Sequence, residues 1–153
     1  MPFQMITIRR PSGMFSSRST SLLLMKQLRL VDSSFFISEL RKREDPFRTL
    51  KKHCECYDFA TCEVVMLEVL CGIRGEKALR YAQSEFAKLT YVPIQKSTGV
   101  IALNLARSLE RAGERVAIPD LLIAACAREI GATVLTLDQH FSRMSEVRVT
   151  EEF

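Results

Sequence analysis

Four carboxylates spread along the chain, Asp32, Glu68, Asp120 and Asp138, are the residues best suited to do chemistry together. Asp32 follows the apolar run Leu28-Arg29-Leu30-Val31, Asp138 follows Thr133 to Leu137, and Asp120 comes directly after Pro119 at the start of a helical run. Aspartate is also favoured at helix N-termini, where it accepts from free amides and meets the positive end of the dipole. Each of the three aspartates therefore has a structural reading beside the chemical one. Glu68 is harder to explain structurally. It interrupts Val64-Val65-Met66-Leu67-Glu68-Val69-Leu70-Cys71, and its helical neighbours Val64, Val65, Cys71 and Gly72 form no solvated stripe. The pattern predicts a desolvated Glu68, which is costly unless a cation or hydrogen bonds compensate.

Carboxylates with few histidines near them specify a hard, oxygen-loving ion, so Mg²⁺ or Mn²⁺ is expected rather than zinc. Such an ion lowers the pKa of a bound water and stabilises charge on phosphate oxygens, so no nucleophilic side chain is needed. Competing machinery is missing: the chain has no GxSxG elbow, no Walker loop, no GxGxxG after a strand, and two histidines, His53 and His140. His140 stands two residues after Asp138. A lone histidine in a helix's first turn is ordinarily without a catalytic role, and it is not counted among the site residues. Ser34 and Thr136, each two residues from a proposed ligand, either hydrogen-bond the carboxylates or a metal-bound water, or serve as caps and packing. His53-Cys54-x-Cys56 is half of a zinc site, but a second ligand pair at finger spacing is missing, so zinc is not expected.

The elements that must position these acids alternate between strand-like and helical runs, the pattern of a parallel sheet covered by helices on both faces. Leu28 to Val31 reads as a strand, and the helix after Asp32 presents Phe35, Phe36, Ile37 and Leu40 as its buried face. Asp45-Pro46 is a cap with proline at the first position of a helix running to about Lys52. No element is read between there and Cys62, where a nearly all-apolar stretch to Ile73 predicts a buried helix. Glu76 to Leu89 reads as a helix, and Tyr91 to Ile94 as a short strand whose proline suits an edge or a strand end. Thr98 to Ala112 is the clearest amphipathic helix, and Gly113 stops it. A nearly enclosed helix from Pro119 to Ile130, capped by Gly131, precedes a buried strand at Thr133 to Leu137, a short helix through Phe141 and a last edge strand at Val147 to Val149. In open parallel sheets ligands sit beyond the carboxyl ends of the strands, so Asp32, Asp120 and Asp138 can share one rim.

With 153 residues and 47% apolar content the chain suits one domain. No apolar run approaches the roughly 20 residues of a membrane span. Residues 1 to 24 hold five serines, Arg9, Arg10, Arg18 and no acid, a composition expected to be disordered. An organellar transit peptide shares that composition, and an over-extended start is the plainer reading because Met25 precedes the first strand. The domain is therefore expected over 25–153. The leader carries three of the four surplus charges, so net charge alone does not indicate an anionic partner. With four carboxylates occupied by metal, however, the body would hold five surplus positives, which would suit a phosphate backbone. The five cysteines, odd in number and without a secretory signal, are expected to be reduced thiols in a cytoplasm.

Taken together, Leu30-Val31-Asp32-Ser33-Ser34, Leu67-Glu68-Val69-Leu70-Cys71-Gly72, Ile118-Pro119-Asp120-Leu121-Leu122-Ile123-Ala124-Ala125 and Leu135-Thr136-Leu137-Asp138-Gln139-His140-Phe141 resemble the PIN-domain family, particularly the VapC-like toxins of toxin–antitoxin pairs. The resemblance covers residues 28 to 149 and departs from the family in the long leader. It implies a three-layer α/β/α sandwich with a mostly parallel sheet, Mg²⁺- or Mn²⁺-dependent cleavage of RNA, homodimerisation and inhibition by a small antitoxin. The family's acids fall on Asp32, Glu68, Asp120 and Asp138, with Ser34 at a common hydroxyl position. The expected function is an endoribonuclease that hydrolyses RNA phosphodiesters as the toxin of such a pair. A catalytically silent RNA- or protein-binding module and a Mg²⁺-dependent phosphatase are the alternatives. An antitoxin would lay an apolar helix in a groove, for which Phe35, Phe36, Phe47 and the 62–73 helix are either walls or simply core.

Overall fold

The computed structural model describes residues 26–153; the expectations for residues 1–24 and for Met25 lie outside the described residues. Twelve short elements follow one another. Strand β1 (Gln27–Val31) leads into helices α1 (Ser33–Arg41) and α2 (Pro46–Lys52). Strand β2 (Tyr57–Cys62) precedes α3 (Glu63–Gly72) and α4 (Glu76–Phe86), and β3 (Thr90–Val92) precedes α5 (Lys96–Arg111) and α6 (Ile118–Ile130). The chain closes with β4 (Thr133–Leu135), a 3₁₀ helix over Gln139–Arg143 and β5 (Val149–Thr150). The five strands form one sheet in the order β3-β2-β1-β4-β5, and every neighbouring pair is parallel.

Adjacent residues in the central strands are buried together: Leu30 with Val31 in β1, Val134 with Leu135 in β4, and Phe59 through Cys62 in β2. Successive side chains of a strand point to opposite faces, so both faces of this sheet are covered, as a parallel sheet requires. Helices α5 and α6 pack most extensively on one another, and α6 also touches β1 and β4. Among the described residues no helix is long and apolar enough to cross a membrane.

Local signals act where the sequence places them. Asp45 accepts from the amides of Phe47 at 3.0 Å and Arg48 at 3.4 Å, and Pro46 opens α2. Gly131 closes α6 in the left-handed conformation, φ 67°, which a side chain would strain. Edge strand β3 ends just before Pro93.

Three readings need correction. Strand β2 is missing from the sequence-based account, which begins a helix at Cys62; Cys62 is instead the last residue of β2. Because β2 lies between β1 and β3 and is buried on both faces, it shows no alternation and runs into the apolar text of α3 without a break. Helix α3 is packed along one face only: Val65 and Val69 are buried, but Leu67 is 62% exposed and Glu68 and Cys71 face solvent. On α1, Leu40 is exposed, and Glu39 is buried in its place, bonded to Lys42 and to the Thr49 hydroxyl.

Phe35, Phe36 and Phe47 are core rather than groove walls. Phe36 is fully buried, with ring centroids 5.4 Å from Phe47 and 5.0 Å from Phe86. Phe36→Ala should therefore lower the unfolding free energy by about 3–5 kcal/mol, read from urea titration by circular dichroism. Leu40→Ala should change it by no more than about 0.5 kcal/mol.

Candidate metal centre at the sheet's carboxyl edge

Strands β1 and β4 are neighbours, but the chain leaves β1 toward β2 and leaves β4 toward β5. Such a reversal opens a crevice at the carboxyl ends of the two strands, because their outgoing loops diverge. Asp32 follows β1 directly, and Asp138 caps the 3₁₀ helix that follows β4.

Asp32 is 3% exposed and is held by its neighbours' hydroxyls. Its Oδ2 accepts from the Ser34 amide at 3.2 Å, from Ser34 Oγ at 2.6 Å and from Thr136 Oγ1 at 2.8 Å. Each hydroxyl also accepts from the turn beyond β4: Ser34 Oγ from the Leu137 amide at 3.0 Å, Thr136 Oγ1 from the Asp138 amide at 3.0 Å. A hydroxyl carries a single proton, and both protons are committed to Asp32. The 3.1 Å approach of the two hydroxyl oxygens is then a consequence of sharing one acceptor. Among the described residues no hydrogen bond reaches Asp32 Oδ1.

Asp120 is half-buried in the first turn of α6. Its carboxyl pKa is pushed up to about 6, first by burial, then by the negative charges of Asp138, Asp32 and Glu68, with His140 opposing them. The other three sequence-predicted acids thus all act on Asp120. They are not equally close. Asp120, Asp138 and His140 each offer one ligand atom within 4.8 Å of the others, and Asp32 and Glu68 lie outside this group. Glu68 is exposed on α3, so the desolvation expected for it does not occur. Its charge reaches Asp120 as the weakest of the contributions.

His140 is the residue that sequence reasoning left out. Its amide donates to Asp138 Oδ1 at 2.9 Å, and its Nδ1 lies 3.1 Å from Asp138 Oδ1 and 3.9 Å from Asp120 Oδ2. The only sequence signal is its position two residues after Asp138, where an ordinary surface histidine looks the same. The Ser34 and Thr136 hydroxyls both donate to Asp32. The His53-Cys54-x-Cys56 segment forms no ligand group among the described residues, and the His53 ring stacks on Phe153 at 3.9 Å. All five cysteines are free.

A carboxylate such as Asp120, whose charged state is disfavoured by burial and by neighbouring acids, fits a divalent cation, which would offset both. In the metal-free protein the burial of Asp120, together with the nearby acids, carries a pH signature. The folded Asp120 carboxyl holds its proton to higher pH than the unfolded chain does, from the ordinary 3.8 to about 6. The penalty is absent below that ordinary value, grows as pH rises toward 6 and is constant above it. Asp120→Asn should therefore melt at a higher temperature than the wild type at pH 7.5 in chelator, being more stable by on the order of 1–2 kcal/mol. The two melting curves should converge as the pH falls to about 4.

Comparison with known proteins agrees with this fold. Residues 29–147 match the model of the PIN domain family. Among solved structures, VapBC2 from Rickettsia felis bound to a DNA fragment from its promoter superposes with a TM-score of 0.66 at 20% identity, covering 81% of this chain and 98% of that one. VapBC-5 from Mycobacterium tuberculosis, a member of the VapBC family of toxin–antitoxin systems, gives 0.56 at 22% identity over 80% and 95%. The sarcin-ricin-loop-cleaving toxin VapC20 from Mycobacterium tuberculosis gives 0.58 at 18% identity over 78% and 98%. These likenesses show the fold, a three-layer α/β/α sandwich around a parallel sheet. No curated protein matches the sequence significantly.

Proposed function

Since the chain belongs to the PIN-domain family, we propose that it is a divalent-metal-dependent endoribonuclease, the toxin of a toxin–antitoxin pair. The observation that supports this reading is the close group of Asp120, Asp138 and His140, where burial first, and then the charges of Asp138, Asp32 and Glu68, raise the Asp120 carboxyl pKa to about 6. A bound Mg²⁺ or Mn²⁺ would supply an acidified water and charge stabilisation on the phosphate oxygens.

The chain's own residues do the rest. Asp120 and Asp138 would hold the ion, and Asp32 would face it through Oδ1 while Ser34 and Thr136 keep the opposite oxygen anchored. Glu68, exposed on α3, would orient water at the outer side of the site. Since no protein nucleophile is required, the scissile phosphodiester would be cleaved by water in line with the leaving oxygen.

The neighbours' toxin–antitoxin context supports an antitoxin partner. Exposed apolar residues stand next to the acids in the chain: Leu67 before Glu68, Ile118 (72% exposed) two before Asp120, and Leu137 (43% exposed) before Asp138. An apolar helix of an antitoxin would find such residues at the mouth of the site. Homodimerisation belongs to the same reading, as does a cytoplasmic setting in which the five cysteines remain thiols. The working domain is residues 25–153, and the leader is dispensable for cleavage.

Purified protein should cut RNA with Mn²⁺ or Mg²⁺ and stop in EDTA. Asp32→Asn and Asp120→Asn should fold, as judged by circular dichroism, yet cleave at least about 100-fold more slowly, the upper end of what outer partners of a metal cost. Wild-type activity in both variants would overturn the assignment. Product analysis on RNA against a small phosphate ester separates a nuclease from a phosphatase.

A further inference from the structure

Resting on the metal-dependent reading above, we propose that His140 is a third protein ligand, its Nδ1 binding the same cation as Asp120 and Asp138, and that this nitrogen makes the site favour Mn²⁺ over Mg²⁺. The acids alone describe an all-oxygen site. The structure instead puts an imidazole nitrogen within ligand spacing of two carboxylate oxygens.

The distances suit a shared ion. For an octahedral cation with bonds of about 2.1 Å, adjacent ligands are about 3.0 Å apart and opposite ones about 4.2 Å. Nδ1 lies 3.1 Å from Asp138 Oδ1, an adjacent pair, and 3.9 Å from Asp120 Oδ2, within the span of one coordination sphere. The backbone helps: Asp138 Oδ1 accepts the His140 amide at 2.9 Å, which ties the two residues into one turn of the 3₁₀ helix. The imidazole is half-exposed, so an ion and its waters can reach it from solvent.

The chemistry gives the preference its direction. Mg²⁺ keeps its waters and takes carboxylates, and it gains little from imidazole. Transition-metal dications accept nitrogen more readily, with Mn²⁺ the weakest binder of that series and the later ions stronger. The competing account is a plain ion pair, an imidazolium sitting between two carboxylates. The two accounts predict opposite signs: a ligand helps the ion bind, whereas an imidazolium must be displaced by it.

The test uses full-length protein, Mn²⁺ and Mg²⁺, and His140→Ala, a half-exposed site whose change should leave the fold intact by circular dichroism. Calorimetry should show Mn²⁺ binding weakened about 10-fold in the variant, with Mg²⁺ binding nearly unchanged. Pulsed EPR of the wild-type Mn²⁺ complex should show ¹⁴N coupling that disappears in His140→Ala. That coupling is assignable because the other histidine, His53, is stacked on Phe153 and belongs to no ligand group among the described residues. Mn²⁺ binding without nitrogen coupling, or tighter binding in the variant, overturns the His140 assignment and leaves the metal site standing. Failure of the wild type to bind either ion overturns both.

Discussion

One carboxylate oxygen holds the candidate site together. Asp32 Oδ2 takes the protons of Ser34 and Thr136, and the same two hydroxyls accept the amides of Leu137 and Asp138. Because the two amides can only donate, both hydroxyl protons turn to Asp32, and these four bonds together fix the turn from which Asp138 and His140 project. Charge-assisted bonds of this kind are stronger than neutral ones, and inside the sheet edge they have little competition from water. The backbone bond from the Asp32 amide to Leu135, 2.9 Å, adds a link between the ends of β1 and β4.

That anchoring allows the protein to tolerate an unfavourable arrangement. Asp120 enters from a different helix and meets the fields of three other acids at a half-buried position, where its charged form is disfavoured. The cost is local, because α6 is secured elsewhere by a fully buried stripe, Ile123 through Ala127, and by the Gly131 cap. Asp120, Asp138 and His140 are already close in the folded chain, so groups that could hold a cation do not have to be gathered first. The aromatic cluster of Phe36, Phe47 and Phe86 supplies core packing.

The parts legible in the sequence are those governed by neighbours along the chain. The Asp45-Pro46 start, the Gly131 stop, the amphipathic α5 and the apolar α6 depend on local chemistry, and the structure contains them. Strand β2 was not legible, because a strand covered on both faces has no period-two pattern and its text merges with that of α3. The exposure of Glu68 was not legible either. Apolar neighbours in sequence predict burial, but half of α3, including Leu67, faces outward, and which half does so depends on what α1, α4 and α6 cover.

The sequence by itself determined that widely spaced acids would end on one edge of a parallel sheet, because strand-end and helix-start positions share that edge. It also determined the family, through four segments in order. Only the tertiary structure decided how those acids are ranked: Asp120 and Asp138 at ligand spacing, Asp32 clamped by hydroxyls, Glu68 exposed, and His140 brought into the group. The physical reason is that topology follows from hydrophobic pattern and chain connectivity, whereas ligand spacing depends on rotamers and turns set by contacts among residues a hundred positions apart.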